Sequence, residues 1–327
     1  MAKAVELLPT KGLTASNFTG QDFLTISDFH STEIMYLLKQ AIKLKKEQKL
    51  GVAHKHLSGK VLGMIFDKAS TRTRVSFEVG IIQLGGNPIY LNTKDTQLGR
   101  GETVADTAKV LSRYVDAVMI RTFAHKTIEE FAAHADIPVI NGLTDLHHPT
   151  QVMADLLTIL EHKGKLKGLK MCYIGDGNNN MTHSLLEGAA KVGMDIAVAS
   201  PFGYEPNQMI RDHAKLVAKQ NGSSVVITNS PDEAIQDADV VVTDVWASMG
   251  EEEEFEARIE AFKPYQVNSK LCEKAKDDFM FMHCLPAHRG EEVTADILDG
   301  PHSVVFDEAE NRLHAQKAIM LALMGDN

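Results

Sequence analysis

The stretch "KVLGMIFDKASTRTRVSF", residues 60–77, opens as one kind of structure and closes as another. Its first half is a continuous apolar run that reads as a buried strand. Its second half sets Ser70, Thr71, Arg72, Thr73 and Arg74 side by side and then takes on helical spacing of apolar residues. A strand passing through a short polar turn into a helix is the repeating element of an α/β chain. The turn also breaks a local rule. Cations at a helix start face the positive end of the backbone dipole, at a cost of a few tenths to about 1 kcal/mol each. A capping Ser70 or Thr71, unpaired backbone N–H groups and guanidiniums gathered there would suit an anion such as phosphate. The alternative is an ordinary capped helix with solvated arginines. A P-loop is excluded, because GxxxxGK[ST] is absent.

The same alternation runs outward through the chain. "NPIYLN", "AVMIRT" and "IPVING" read as further strands, with helical patterns over Arg74–Leu84, Val104–Tyr114 and Thr127–His134. "HHPTQVMADLLTILEHKG" is a long amphipathic helix with Gly164 as its stop. "LKMCYIG", "DIAVASP", "SSVVITN", "ADVVVTDVW", "DFMFMHCLP" and "SVVF" are expected strands of a second sheet. "EAENRLHAQKAIMLALM" closes the chain as an amphipathic helix. The expected architecture is α/β, with two doubly wound parallel-sheet domains joined by long helices. Residues 1–150 form the first domain and 151–310 the second, and 311–327 form a helix that packs back on the first. At 327 residues with 44% hydrophobic content, there is material for two cores.

A formal charge of −10 argues against nucleic acid as a partner but allows a local cationic pocket. No apolar run has the length of a membrane span, and "MAKAVELLPTKG" lacks the core of a signal peptide. Cys172, Cys272 and Cys284 are odd in number and have no CxxC spacing, which fits a reduced cytoplasmic setting and gives no zinc motif.

Ligands of open α/β sheets bind beyond the carboxyl ends of strands, so the polar clusters there are the candidate sites. Arg121 ends the strand "VMIRTF", and His148 precedes Pro149 at a helix start. Both could donate to a carbonyl oxygen that gains charge, or serve as an exposed strand end and a cap. "YIGDGNNN" misses the dinucleotide fingerprint, because Asn180 stands where the third glycine belongs. Asp244, in "DVWASMG", either caps the next segment or holds an ammonium group. Cys284, in "HCLP", could be a nucleophile, a buried structural thiol, or a neighbour of backbone groups at Leu285 offered to a substrate.

With "STRTR" (70–74), "HPTQ" (148–151), "DVWASMG" (244–250) and "HCLP" (283–286) in this order, the chain resembles the carbamoyltransferases, most closely the ornithine branch. The resemblance spans residue 20 to the C-terminus. "HCLP" stands where the aspartate branch would carry a Pro-Leu-Pro-Arg type motif. The loop "DTQLGRGE" also lacks the Ser and Lys of that branch.

The resemblance implies transfer of a carbamoyl group from carbamoyl phosphate to the side-chain amine of L-ornithine, giving citrulline and phosphate. Putrescine is an alternative acceptor, and a nicotinamide-dependent oxidoreductase is a more distant alternative. Ser70, Thr71, Arg72 and Thr73 would bind the phosphate, and Arg121, His148 and Gln151 the carbamoyl end. Gln97 would reach the site of a neighbouring subunit in a homotrimer. Asn180, Asp244, Ser248 and Met249 would hold ornithine, with the SMG loop as a mobile element. Cys284, Leu285 and Arg312 would close the pocket. No cofactor and no metal are implied. On this reading Arg72 and Arg74 are both tolerated for the sake of a dianionic ligand.

Overall fold

A computed structural model describes residues 14–97, 101–247 and 255–325. Nine strands and twelve α-helices are found among them. The strands are β1 (Val61–Phe66), β2 (Asn87–Asn92), β3 (Ala117–Arg121), β4 (Val139–Leu143), β5 (Lys170–Ile174), β6 (Asp195–Ala199), β7 (Val225–Thr228), β8 (Val240–Thr243) and β9 (Met280–His283). The helices of the first half are α1 (Ser31–Lys49), α2 (Thr71–Gln83), α3 (Val104–Leu111), α4 (His125–His134) and α5 (Pro149–Lys163). Those of the second are α6 (Asn180–Val192), α7 (Gln208–Asn221), α8 (Pro231–Ile235), α9 (Phe255–Phe262), α10 (Ser269–Cys272), α11 (Ala295–Leu298) and α12 (Val305–Met324).

The described chain divides into two compact units, one of residues 14–157 with 310–325 and one of residues 158–309. The first holds a parallel sheet in the order β2-β1-β3-β4, the second a parallel sheet in the order β7-β6-β5-β8-β9. In the second sheet β5 is central and the order reverses between β5 and β8, the arrangement that opens a crevice at the strand ends. The expected α/β class with two wound parallel sheets is what the chain adopts.

In the first unit Ile65, Val118, Ile120 and Val139 pack against Ile128 and Phe131 of α4. Their strands are buried along almost their whole length, which explains the unbroken apolar runs. The residues of α12 from 310 onward belong to this unit. Lys317 is fully buried and donates to Gln48 Oε1 at 2.8 Å and Gln83 Oε1 at 2.9 Å, linking α1, α2 and α12. At Gly80, in the middle of α2, an added Cβ would sit 2.9 Å from Met320 and 3.3 Å from Lys317. Close approach of α12 therefore accounts for a glycine that an exposed helix would not favour.

The second unit is built around Cys172, Ile174, Val241 and Phe281, with Val267, Ile297 and Val305 packed over them. Two expectations are corrected here. "SVVF" is not a strand: Ser303 makes a single bridge to Phe281, and Val305 already opens α12. A four-residue apolar run has no periodicity that separates a strand from a buried helix start, and Asp307 and Glu308 in the first turn favour the helix. Helix α3 stops at Leu111 instead of Tyr114, with Ser112 as its C-cap.

Candidate functional site

In the first unit, β1 delivers the chain to Ser70 in extended conformation (φ −163°, ψ 116°), and the Ser70 hydroxyl accepts from the Thr73 backbone N–H at 3.2 Å. Ser70 is thus the N-cap that opens α2. The same turn leaves the first amides of α2 facing outward from the strand end. The Thr73 side chain is fully buried, and two guanidiniums converge on its hydroxyl. Arg312 Nη2 donates to Thr73 Oγ1 at 2.8 Å and Arg121 Nη1 at 3.3 Å. Two buried cations focused on one hydroxyl at a helix N-terminus form an anion-binding arrangement.

Arg121 is aimed there by a break in the sheet. Ile120 pairs with Asn141 but Arg121 pairs with Leu143, so Gly142 is an extra residue in β4. A Cβ at Gly142 would lie 2.5 Å from Met119 Sδ and 3.2 Å from the Ile120 carbonyl oxygen, so a side chain at the bulge would have to displace Met119. His148 is 4% exposed and immediately precedes α5. Burial first, then the nearby charges of Arg312, Arg121 and Arg72, push its pKa well below the usual histidine range. It is therefore a neutral imidazole at physiological pH, able to donate one N–H without carrying charge. Gln151, fully buried one turn into α5, donates its amide to Asp155 Oδ1 at 2.9 Å, which orients the side chain.

Arg74 does something different from Arg72. Its guanidinium lies 3.9 Å above the Tyr90 ring, and its Nε donates to Glu78 at 3.0 Å. The placement of Arg74 does not support the expectation that it serves a dianion, because it is exposed and its guanidinium is engaged by Tyr90 and Glu78. Thr71 is exposed, and Gln97 is exposed in the turn that follows Thr93–Asp95.

In the second unit the candidate groups lie at the ends of β5, β8 and β9. Thr243 pairs with His283, so Asp244 and Cys284 emerge side by side. Asp244 Oδ1 accepts from Cys284 Sγ at 3.2 Å and from the Val245 N–H at 2.8 Å. Burial raises the Asp244 pKa, opposed by His283 and the thiol hydrogen bond. A buried carboxylate of this kind favours a cationic partner over solvent. Leu285 follows in a left-handed conformation (φ 60°) that L-residues seldom adopt.

Asp244, His283 and Cys284 offer atoms within 4.8 Å of one another, a spacing a metal could use. The His283 ring does not suit that role. Its Nδ1 accepts from the Leu285 N–H at 2.9 Å and its Nε2 faces Glu292 at 3.2 Å, so both ring nitrogens are already engaged.

The turn after β5 also resolves the missing fingerprint. A Cβ at Gly177 would lie 2.6 Å from the Tyr204 carbonyl oxygen and 2.9 Å from Ser200 Oγ, so that glycine serves internal packing. Asn179 caps α6 through the Thr182 N–H at 2.8 Å and donates to the Tyr173 hydroxyl at 3.0 Å. Asn180, half-buried, is the first residue of α6. Ser248 and Met249, with the rest of the SMG loop, lie outside the described residues.

Sequence reasoning missed two buried pairs. Asp176 Oδ2 is bonded to Arg258, which also donates to the Trp246 carbonyl at 2.6 Å and so ties the segment after β8 to the turn after β5. The other is His283 with Glu292. Asp176 was visible in "GDG", but no local pattern marks a partner 82 positions away.

Comparison with known proteins likewise finds two domains. The profile of the aspartate/ornithine carbamoyltransferase carbamoyl-P binding domain matches residues 21–161, and that of the Asp/Orn binding domain matches residues 167–323. The chain is 61% identical over 305 residues to an ornithine carbamoyltransferase of Anoxybacillus flavithermus, covering 93% of this chain and 97% of that one. It is 58% identical to one of Bacillus subtilis, covering 95% and 96%. Among solved structures, the ornithine carbamoyltransferase from Pyrococcus furiosus superposes with a TM-score of 0.91 at 54% identity, covering 94% of this chain and 98% of that one.

Proposed function

The chain belongs to the aspartate/ornithine carbamoyltransferase family, and on that footing we propose that it transfers the carbamoyl group of carbamoyl phosphate to the side-chain amine of L-ornithine, giving L-citrulline and phosphate. The observation that carries this reading is the buried cationic cluster: Arg121 and Arg312 on Thr73 at the capped start of α2, beside a neutral His148.

In the reaction the uncharged δ-amine of ornithine attacks the carbamoyl carbon. The carbonyl oxygen takes on negative charge, the carbon–oxygen bond to phosphate breaks, and the proton that the amine gives up is taken by the departing phosphate. Ser70, Thr71, Arg72 and Thr73 hold the phosphate and stabilise the charge that it gains on leaving. Arg121 and His148 donate to the carbonyl oxygen, and Gln151 receives the carbamoyl amide. A neutral His148 suits this task, since a buried imidazolium among three guanidiniums would be disfavoured. Arg312 supports the phosphate through its position on Thr73.

On the amine side, Asp244 takes the ammonium of the amino acid, with Asn180, Ser248 and Met249 completing its recognition. Cys284 and the Leu285 backbone orient the reacting groups. Much of the acceleration comes from holding two substrates in register away from water. None of these steps needs a cofactor. The unit that ends at residue 157 is assigned to carbamoyl phosphate and residues 158–309 to ornithine, with the helix that follows belonging to the first unit. The protein is assigned to arginine metabolism in the cytoplasm, as a homotrimer or a multiple of trimers in which Gln97 serves a neighbouring subunit. Among the described residues no helix is long and apolar enough to cross a membrane.

The test is colorimetric citrulline formation by purified protein with carbamoyl phosphate, running ornithine, putrescine, aspartate and N-acetylornithine in parallel. Turnover with ornithine alone is expected. Turnover with putrescine but not ornithine would overturn the role given to Asp244, and no turnover at all would overturn the assignment.

A further inference from the structure

Glu292 lies in the second unit with its side chain fully buried, and no step of the proposed transfer uses it. Its backbone is fixed on both sides: the Val267 N–H donates to the Glu292 carbonyl at 2.9 Å, and the Gly290 N–H donates to the Val293 carbonyl at 2.8 Å. The carboxylate is fixed as well, since Glu292 Oε1 accepts from the His288 backbone N–H at 2.5 Å. The same oxygen stands 3.2 Å from His283 Nε2. Across the ring, His283 Nδ1 stands 2.9 Å from the Leu285 backbone nitrogen.

A neutral imidazole has one N–H and one lone pair. A backbone N–H can only donate, so Nδ1 must carry the lone pair and Nε2 the proton, which then points at the carboxylate. In the opposite tautomer two N–H groups would face each other at the Leu285 end, while Glu292 would face a lone pair. Both contacts would become repulsive. The backbone at Leu285 is the part that would give way, because its positive φ is already unfavourable for an L-residue.

We propose that Glu292 is a positioning residue for carbamoyl transfer: its carboxylate fixes the His283 proton on Nε2, leaving Nδ1 to hold the Leu285 amide and so present Cys284 and the Leu285 backbone to the substrates. The other contacts of the strand end point the same way. The His283 backbone N–H donates to Glu308 Oε2 at 2.9 Å, and Cys284 Sγ rests 3.2 Å from Asp244. The chain from Glu292 through His283 therefore ends on the residues assigned to the reacting groups, and the inference rests on that assignment.

Two variants and one spectrum test it. Glu292→Leu removes the acceptor, and a fall of about 30-fold or more in kcat is expected, with the KM for carbamoyl phosphate within about twofold of wild type. Glu292→Gln retains a carbonyl acceptor of the same reach and is expected to stay within about threefold of wild-type kcat. In the wild-type protein, 15N spectra are expected to show His283 protonated on Nε2 and bare on Nδ1. A folded Glu292→Leu variant with near-wild-type kcat would overturn the proposal. So would a proton on His283 Nδ1, which is decided without any variant having to fold. A wild-type protein that makes no citrulline would instead overturn the underlying assignment, and the proposal with it.

Discussion

The cationic turn at Ser70–Thr73 and the acidic strand ends around Asp244 carry opposite charge, and they are built by opposite means. The first is assembled largely from neighbours in sequence: a cap and the hydroxyl of Thr73 lie within four positions, and only Arg121, His148 and Arg312 come from afar. The second is assembled almost wholly by tertiary pairing. Asp244 meets Cys284 because β8 and β9 are neighbours, Asp176 is bound by Arg258, and His283 is held by Glu292. A helix start can present an anion site on its own amides. A buried carboxylate can take a nearby backbone N–H, as Asp244 does from Val245, but its side-chain partners here come from elsewhere in the fold.

This contrast sets the scale of what mutations should do, beginning with the unit that relies on pairing. Arg258→Met removes the cationic partner of the buried Asp176 carboxylate and the donor to the Trp246 carbonyl. A loss of about 3–5 kcal/mol in unfolding free energy is expected by denaturant titration. A loss below about 1 kcal/mol would mean that water reaches Asp176.

In the other unit the larger effect should be on chemistry. Arg72→Ala is expected to lower kcat/KM by a factor equivalent to at least about 3 kcal/mol, with little change in melting temperature, because the proposed charge-assisted phosphate contact would be lost. A variant within twofold of wild type would show that Arg72 is an ordinary helix residue.

His148 gives a pH signature that sharpens the comparison. Burial and three guanidiniums lower its pKa, so below about pH 6.5 the unfolded chain takes up a proton that the folded one refuses. Stability therefore falls as pH drops through that value, and His148→Gln should flatten this part of the curve. An unchanged slope in the variant would place the acid sensitivity elsewhere.

The smallest effect is expected at Arg74. Stacked on Tyr90 and paired with Glu78 at an exposed position, it should contribute about 1 kcal/mol or less to stability and leave kcat/KM within about twofold. A loss comparable with that of Arg72→Ala would return Arg74 to the phosphate.

These differences also explain what the sequence disclosed. The parallel sheets were legible because strands buried on both faces must be continuously apolar, as "KVLGMIF" and "DVVVT" are. The capped start of α2 was legible because Ser70 stands directly before the helical spacing begins, and Arg72 drew notice because it violates a local preference there. Arg74 violates it too, yet its stacking on Tyr90 depends on where β2 lies, so the sequence alone made the two look alike despite the i,i+4 spacing of Arg74 and Glu78. "SVVF" failed because four apolar residues carry no period. Gly142 and Gly80 carried no readable message either, since each is explained by a neighbour from another element. Arg258 and Glu292 stayed hidden for the same reason: their partners are fixed by the fold and not by spacing.

The measurement that bears most directly on the central assignment follows the carbon itself. Carbamoyl phosphate labelled with 13C would be mixed with ornithine and the purified protein, and carbon and phosphorus spectra recorded together. The expected result is labelled citrulline and enzymatically released inorganic phosphate appearing in equal amounts, both slowed about 100-fold or more by Arg72→Ala. Phosphate released without labelled citrulline would contradict it, because the cradle would then serve hydrolysis and not transfer.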